Sequence, residues 1–178
     1  MIKVIKKPTP NFRGVRRDRA RGVCIHVMEG TEIGTDQHFA SDPTDVSAHF
    51  GVGLDGELRQ WVSLESEAWA QGRIQDPTWK FLRANQNPNS YLISIEHEGY
   101  GRTAWPEEQL LTSTILSAWL AEKYSWLIDG STFVEHRKIF AGKSCPGPAF
   151  NLDNYLVRVR SIRRVLGRSV INLIEGVF

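Results

Sequence analysis

Short apolar runs separated by glycine-rich turns predict several strands in the first half of the chain. Residues 22–28 are mostly apolar or β-branched and are bounded by glycines, which predicts a buried strand ending near His26. Residues 48–53 and 57–62 flank the dipeptide Asp-Gly at positions 55–56. Glycine readily adopts the positive φ of a tight turn, so this pattern predicts an antiparallel hairpin.

The clearest alternation of apolar and polar side chains occurs in residues 91–98. Ile93 and Ile95 alternate there with Ser94 and Glu96, and Gly99 follows. Side chains of successive strand residues point to opposite faces of a sheet. We therefore expect Glu96 to point away from the face that the isoleucines occupy.

Helical spacing predicts two helices in the second half of the chain. Apolar residues recur at helical intervals after Pro106, and a last helix is predicted at about residues 152–166. Residues 133–136 predict a short strand. Residues 29–45 and 70–90 are turn-rich and predict loops, with a short helical turn as an alternative within the first. The predicted strands and helices alternate irregularly along the chain, and this order predicts an α/β fold with a central mixed β-sheet flanked by helices.

Length and composition indicate one globular domain. The chain has 178 residues, of which 41% are hydrophobic and 10% aromatic, and this excludes a disordered protein. No apolar run approaches the ~20 residues that span a bilayer, and the start lacks the apolar stretch of a secretory signal. We therefore expect synthesis in the cytoplasm.

Charge is concentrated at the two ends of the chain. Residues 1–21 carry eight lysines and arginines against one acid, and residues 151–178 carry five arginines against two acids. Basic ends favour contact with an anionic polymer or surface, although solvated termini are an equally good interpretation. Few aromatic residues are interleaved there, so no specific nucleic acid is expected.

Candidate metal ligands are few, because the chain has five histidines and two cysteines. His26 and His136 each end a predicted strand, and Cys145 follows in a loop stiffened by proline and glycine. A buried histidine is costly unless a partner or a metal satisfies it. A hydrolytic zinc is typically held by three protein ligands, for which histidine nitrogen and cysteine thiolate are preferred, and its fourth position is open for water. Taken singly, each histidine is better explained as an ordinary core or surface residue than as a metal ligand.

Six short segments occur in one order along the chain. They are Cys-Ile-His-Val at 24–27, Val-Ser-Ala-His-Phe at 46–50, the hairpin turn at 55–56, Trp-Ala-Gln-Gly at 69–72, Ser-Ile-Glu-His-Glu-Gly at 94–99, and His136 followed by Lys-Ser-Cys-Pro-Gly at 143–147. This series resembles the zinc-dependent N-acetylmuramoyl-L-alanine amidases (amidase type 2), which include phage endolysins, muropeptide-recycling enzymes and peptidoglycan recognition proteins. The resemblance covers about residues 22–150.

The resemblance implies a role for particular residues. It makes His26, His136 and Cys145 the ligands of one Zn²⁺ per chain, and it makes Glu96 and Lys143 catalytic. The implied reaction is hydrolysis, by zinc-activated water, of the amide between N-acetylmuramic acid and L-alanine of the peptidoglycan stem peptide.

Other positions carry weaker implications. His49 and Trp69 are expected to support a ligand or contact substrate, and Cys24 is expected to be a small buried hydrophobe rather than a competing ligand. Ala48 stands where many relatives keep a tyrosine, which shifts the proton transfer onto Glu96. Trp-Ala-Gln-Gly replaces the Trp-His-Ala-Gly common in the family.

The expected organisation is a basic lead-in (1–21), a zinc amidase core (22–150) and a basic C-terminal helix and tail (151–178) that packs on the core or extends from it. A short monomer without an export signal favours a bacteriolytic endolysin that reaches the cell wall after release. The alternatives are a cytoplasmic muropeptide-recycling amidase and a non-catalytic peptidoglycan-binding module. A cysteine peptidase is disfavoured, because Cys145 follows every histidine.

Overall fold

A computed structural model describes residues 1–41 and 45–177. The strands are β1 (Ile2–Lys6), β2 (Phe12–Val15), β3 (Gly22–Ile25), β4 (Phe50–Val52), β5 (Leu58–Gln60), β6 (Ser66–Ala68), β7 (Leu92–His97), β8 (Phe133–Glu135) and β9 (Ile174–Glu175). The α-helices are α1 (Glu32–Ala40), α2 (Glu107–Tyr124) and α3 (Leu152–Leu166). Short 3₁₀ turns occupy Pro88–Ser90, His136–Lys138 and Gly167–Leu173.

A seven-stranded mixed sheet organises the fold, in the order β8-β3-β7-β4-β5-β1-β9. Strand β3 runs parallel to both β7 and β8, and β4 is parallel to β7 but antiparallel to β5. Strands β2 and β6 form a separate antiparallel pair. The predicted mixed sheet with flanking helices is confirmed.

The two faces of the sheet have different partners. Helices α2 and α3 cover one face, where Val23, Ile25, Ile93 and Ile95 join their apolar side chains in the main core. On the other face, alternate residues of β3, β7 and β8 form a smaller cluster, consisting of Cys24, Leu92 and Val134 with Tyr91 and Ile139. Helix α1 also lies on this second side, where Phe39 packs edge-on against Trp61. The alternation along each strand therefore separates the main core from the side that holds the candidate site.

The predicted loop at residues 29–45 is corrected in part, because α1 occupies residues 32–40 of it. The Thr31 hydroxyl caps this helix by accepting a hydrogen bond from the Gly34 N–H at 3.1 Å. Ile33 is exposed and Phe39 is buried, so no apolar stripe of helical period marks the segment. Residues 42–44 of the predicted loop lie outside the described residues.

The N-terminal segment is part of the sheet. Strand β1 pairs in parallel with β5 on one side and with β9 on the other, so both basic ends of the chain meet at one sheet edge. Helix α3 packs against α2 through Tyr155, Leu156 and Val159. Residues of both terminal segments therefore belong to the same sheet and helix layer as the segment between them. Within the described residues, no helix is both long and apolar enough to cross a membrane.

Arg16 anchors the N-terminal segment in spite of its charge. Its guanidinium donates hydrogen bonds to four backbone carbonyls and contacts one imidazole, those of Leu64, Ser66, Asn89, Leu92 and His49. The planar fork of an arginine can serve several acceptors at once, which a lysine ammonium cannot do in the same geometry. Arg16 therefore ties the segment before β3 to the segments around β6 and β7.

We expect Arg16→Lys to lower the free energy of unfolding by about 2–4 kcal/mol, because several half-buried carbonyls lose their donor. Arg17→Lys is the matched control, since the Arg17 side chain is exposed. Urea unfolding of both variants measures the difference. Equal stability of the two variants would contradict the anchoring role.

Candidate metal centre and cleft

The register of three parallel strands creates the centre of the site. Ile25 of β3 is paired with Ile95 of β7 and with Glu135 of β8. The residue that follows Ile25 is His26, the residue that follows Ile95 is Glu96, and the residue that follows Glu135 is His136. These side chains therefore lie side by side at the carboxyl ends of neighbouring strands, on the face opposite α2 and α3.

Cys145 completes a compact group with the two histidines. One ligand atom from each of His26, His136 and Cys145 lies within 4.8 Å of the others. The two imidazole rings have centroids 4.5 Å apart. Two backbone N–H groups hold the cysteine: that of Val27 donates to Sγ at 3.2 Å, and that of Arg137 donates to the Cys145 carbonyl at 2.9 Å.

Hydrogen bonds decide which nitrogen of each histidine is available. Nε2 of His136 donates to the Gln71 carbonyl at 3.1 Å, which leaves Nδ1 as the ligand atom. His26 Nδ1 lies 3.8 Å from Glu96 Oε1. His26 Nε2 and Glu96 Oε2 are buried and have no hydrogen-bond partner among the described residues. Buried polar atoms without partners are costly, and a cation in this group would satisfy the imidazole nitrogen.

Burial shifts every titratable group of the cluster. It lowers the pKa of His26 well below its ordinary value, with the neighbouring His136 adding to the effect, and it also lowers the pKa of His136. Burial raises the pKa of the Cys145 thiol and raises the pKa of Glu96 to about 8. The histidines are therefore neutral, as metal ligation requires, and a bound cation would favour the thiolate and the carboxylate.

The donor set fits a transition metal. With Cys145 deprotonated, two neutral imidazoles and one thiolate would form a three-ligand set of the kind that leaves a coordination position open on zinc. Within residues 1–41 and 45–177, these residues are the single group of three or more metal-binding side chains so arranged.

The group faces a cleft of about 480 Å³. Besides the three candidate ligands and Glu96, its lining includes Lys143 and Trp69, with Glu29, Ser47, Phe39 and Met28. The cleft therefore brings together six of the seven residues that the sequence singled out for the site.

His49 is the seventh residue, and it lies elsewhere. Its side chain is fully buried, with Nδ1 2.9 Å from Ser94 Oγ and Nε2 2.7 Å from a guanidinium nitrogen of Arg16. It does not line the cleft, so it is not positioned for the substrate contact expected of it. Cys24, also fully buried, packs in the small apolar cluster beside Leu92 and Val134.

His97 has no role among the expectations drawn from the sequence, and the structure connects it to the candidate ligand His26. Its Nδ1 donates to the backbone carbonyl of His26 at 2.8 Å, and its ring stacks on Trp105 at 3.8 Å. Burial lowers the pKa of His97 to about 3, so the ring is neutral at ordinary pH. Its position among isoleucines on the core face of β7 was the available signal, since a polar ring there needs partners.

Comparison with known proteins identifies relatives of the chain. The profile of a family described as N-acetylmuramoyl-L-alanine amidase matches residues 16–148. N-acetylmuramoyl-L-alanine amidase A of Achromobacter lyticus is 27% identical over 159 residues, which cover 78% of this chain and 82% of that protein. The 1,6-anhydro-N-acetylmuramyl-L-alanine amidase AmpD of Escherichia coli K12 is 30% identical over 115 residues, 64% of this chain and 58% of AmpD.

Solved structures share the fold. A crystal structure of an AmpD derivative has a TM-score of 0.72 at 22% identity, and the match covers 90% of this chain and 93% of that one. A mutant endolysin from Bacillus subtilis has a TM-score of 0.63 at 19% identity, covering 94% of this chain and all of the endolysin. The catalytic domain of XlyA has a TM-score of 0.66 at 18% identity, covering 88% and 98%.

We expect the chain to bind about one Zn²⁺, and Cys145→Ser to weaken that binding by at least about tenfold, because the thiolate is the only anionic ligand of the set. Cys24→Ser is the matched control and should leave the affinity unchanged. Competition against a chromogenic chelator measures both. An equal loss in the two variants would show that the group of His26, His136 and Cys145 does not form the site.

Proposed function

The chain belongs to the N-acetylmuramoyl-L-alanine amidase family, and from this premise we propose that its cleft hydrolyses peptidoglycan with a single zinc ion. The bond cleaved is the amide between the lactyl group of N-acetylmuramic acid and L-alanine of the stem peptide. The convergence of two imidazoles and a thiol beside a buried carboxyl carries this function.

We propose His26, His136 and Cys145 as the zinc ligands. The orphaned Nε2 of His26 and the fixed tautomer of His136 support this assignment. When bound, zinc supplies Lewis acidity that lowers the pKa of a water and polarises the scissile carbonyl.

Glu96 is proposed as the residue that moves the proton. Its carboxyl group lies 3.8 Å from a His26 ring nitrogen, and its other oxygen has no partner among the described residues. It can accept a proton from the attacking water and return it to the leaving amine, which departs poorly unless it is protonated. Burial raises the pKa of this carboxyl to about 8, and a bound cation would lower it towards the range in which the carboxylate accepts a proton.

Lys143 is proposed to stabilise the charge that develops on the carbonyl oxygen. Its side chain lines the same cleft as Glu96. A cation aimed at this oxygen acts mainly in the transition state, where the negative charge is greatest. Ala48 is fully buried and brings no hydroxyl group, so no tyrosine shares the proton transfer at that position.

We propose a polymeric substrate, as for an endolysin. Two smaller depressions adjoin the main cleft and share lining residues with it, one at the start of α1 through Met28 and Phe39, the other beyond Ser144. Their shared lining residues place the three depressions side by side around the candidate ligands. This arrangement suits a long glycopeptide with Trp69 as a contact. The likeness to AmpD favours a second candidate, a recycling amidase for soluble muropeptides.

We propose that the basic ends contact an anionic envelope surface. Two arginines of α3 pair with acids of α2, Arg158 with Glu107 and Arg163 with Glu122. The exposed positions on the outer side of α3 include Arg164 and Val165. Any such contact therefore involves this outer side, while the buried side of α3 packs on the body of the domain.

We expect Glu96→Gln and Lys143→Ala each to lower kcat by at least ~10², because each removes a group that acts in the transition state. Bound zinc, measured by atomic absorption, should stay at the wild-type level in both variants.

Glu108→Gln and Lys138→Ala are matched controls at exposed positions outside the cleft. Both should keep full activity on purified peptidoglycan. Wild-type turnover in Glu96→Gln would remove this carboxyl group from the mechanism and leave the metal site intact.

Substrate preference separates the two candidate roles. We expect the enzyme to clear a suspension of intact peptidoglycan sacculi and to have a higher kcat/KM on released polymeric strands than on soluble anhydromuropeptides. Turbidity and chromatography of the released stem peptides measure this. The opposite preference would identify a recycling enzyme.

A further inference from the structure

A buried series of hydrogen-bonded polar side chains reaches the candidate metal ligands from the α2 and α3 side of the sheet. It starts on α2 and α3 and consists of Ser117, Tyr155, Ser113 and His97, all of them buried in the main core. The Ser117 and Ser113 hydroxyls each lie 2.7 Å from the Tyr155 hydroxyl. Ser113 Oγ lies 2.7 Å from His97 Nε2, and His97 Nδ1 lies 2.8 Å from the carbonyl oxygen of His26.

Acceptor chemistry fixes the direction of these bonds. A carbonyl oxygen only accepts, so Nδ1 of His97 carries the ring proton and Nε2 of the neutral ring accepts from Ser113. The Tyr155 hydroxyl then donates to Ser113, where Oγ and the backbone oxygen, at 3.0 Å, are both in range. Ser117 donates to Tyr155. Every proton in the chain therefore points towards His26.

The peptide group between His26 and Val27 carries the effect through the sheet. Its carbonyl accepts from His97, and its N–H donates to Cys145 Sγ at 3.2 Å. The two ends of a peptide group are conjugated, so a stronger hydrogen bond to the oxygen makes the N–H a better donor. The sulfur of the proposed ligand is thus the last acceptor of a chain that begins on α2.

We propose that Ser113 and Tyr155 are positioning residues that act through His97 and the His26–Val27 peptide to set the charge that Cys145 donates to the metal. An N–H bond to a thiolate withdraws electron density from the sulfur, and a metal with a less donating thiolate is a stronger Lewis acid. The bonds to the His26 carbonyl and from the Val27 N–H also hold the backbone beside His26 close to the sulfur of Cys145. This inference rests on the proposed metal site.

Cobalt substitution provides a direct readout, because the thiolate-to-Co²⁺ charge-transfer band reports the electron density on sulfur. We expect this band to move to longer wavelength in Ser113→Ala and in Tyr155→Phe, since each variant weakens the N–H donor. Because the same bonds hold the sulfur of Cys145 in place beside His26, their loss should also raise the zinc dissociation constant by about tenfold, the lower end of what the loss of an outer hydrogen-bond partner causes.

Thr112→Ala is the matched control. Thr112 is a buried hydroxyl on the same helix and donates to the Gly56 carbonyl at 2.9 Å, with no bond to the chain that leads to His26. It should lose a comparable amount of thermal stability and keep the wild-type band and zinc affinity. A second measurement needs no variant: long-range ¹H–¹⁵N NMR of the wild-type apoprotein should show the Nδ1–H tautomer for His97.

Unchanged spectra in Ser113→Ala and Tyr155→Phe, or an equal shift in Thr112→Ala, would overturn the inference while leaving a zinc-binding, active wild type and the proposed function in place. An Nε2–H tautomer of His97 would also overturn it. A wild-type chain that binds neither zinc nor cobalt would overturn the proposed metal site and this inference together.

Discussion

The parallel register of β3 with its two neighbours is the constraint on which the site depends. With Ile25 opposite Ile95 and Glu135, the next residues bring two imidazoles and a carboxyl to one sheet edge. A slip of one residue would turn a whole strand over and send its site residue into the main core. The isoleucines of β3 and β7, buried under α2 and α3, oppose that slip, so the apolar core positions polar groups that it does not touch.

The site concentrates polar groups that burial disfavours. A buried imidazole nitrogen and a buried carboxylate oxygen lack partners among the described residues, and burial raises the pKa of both the carboxyl and the thiol. The surrounding fold is stable enough to hold these groups in this arrangement. A divalent cation would reverse their energetics, because it satisfies the imidazole and favours the two anions. The burial that makes these groups costly in the free protein would therefore favour binding of a cation.

The two faces of the sheet have different roles in the structure. One face presents the candidate ligands, Glu96 and Lys143 to the cleft, and the other is packed against α2 and α3. His97 joins the two faces, because consecutive residues of β7 point to opposite faces and its ring reaches the carbonyl of the candidate ligand His26 from the core side. His97 therefore contacts the backbone of a candidate ligand from the face of the sheet opposite the cleft.

The sequence was sufficient to predict those elements whose own residues show a clear periodicity or motif. The alternation of Ile93 and Ile95 with polar neighbours indicated β7 and the direction of Glu96, and the ordered segments around His26, His136 and Cys145 indicated the family. Elements that depend on distant partners escaped sequence analysis. Strand β1 forms between β5 and β9, α1 has no apolar stripe, and His49 is enclosed by Arg16 and Ser94. Only the tertiary structure decided these positions, because strand pairing and burial depend on contacts between residues far apart in the chain. Periodicity and motifs, in contrast, can be recognised from the identity of the residues along the sequence.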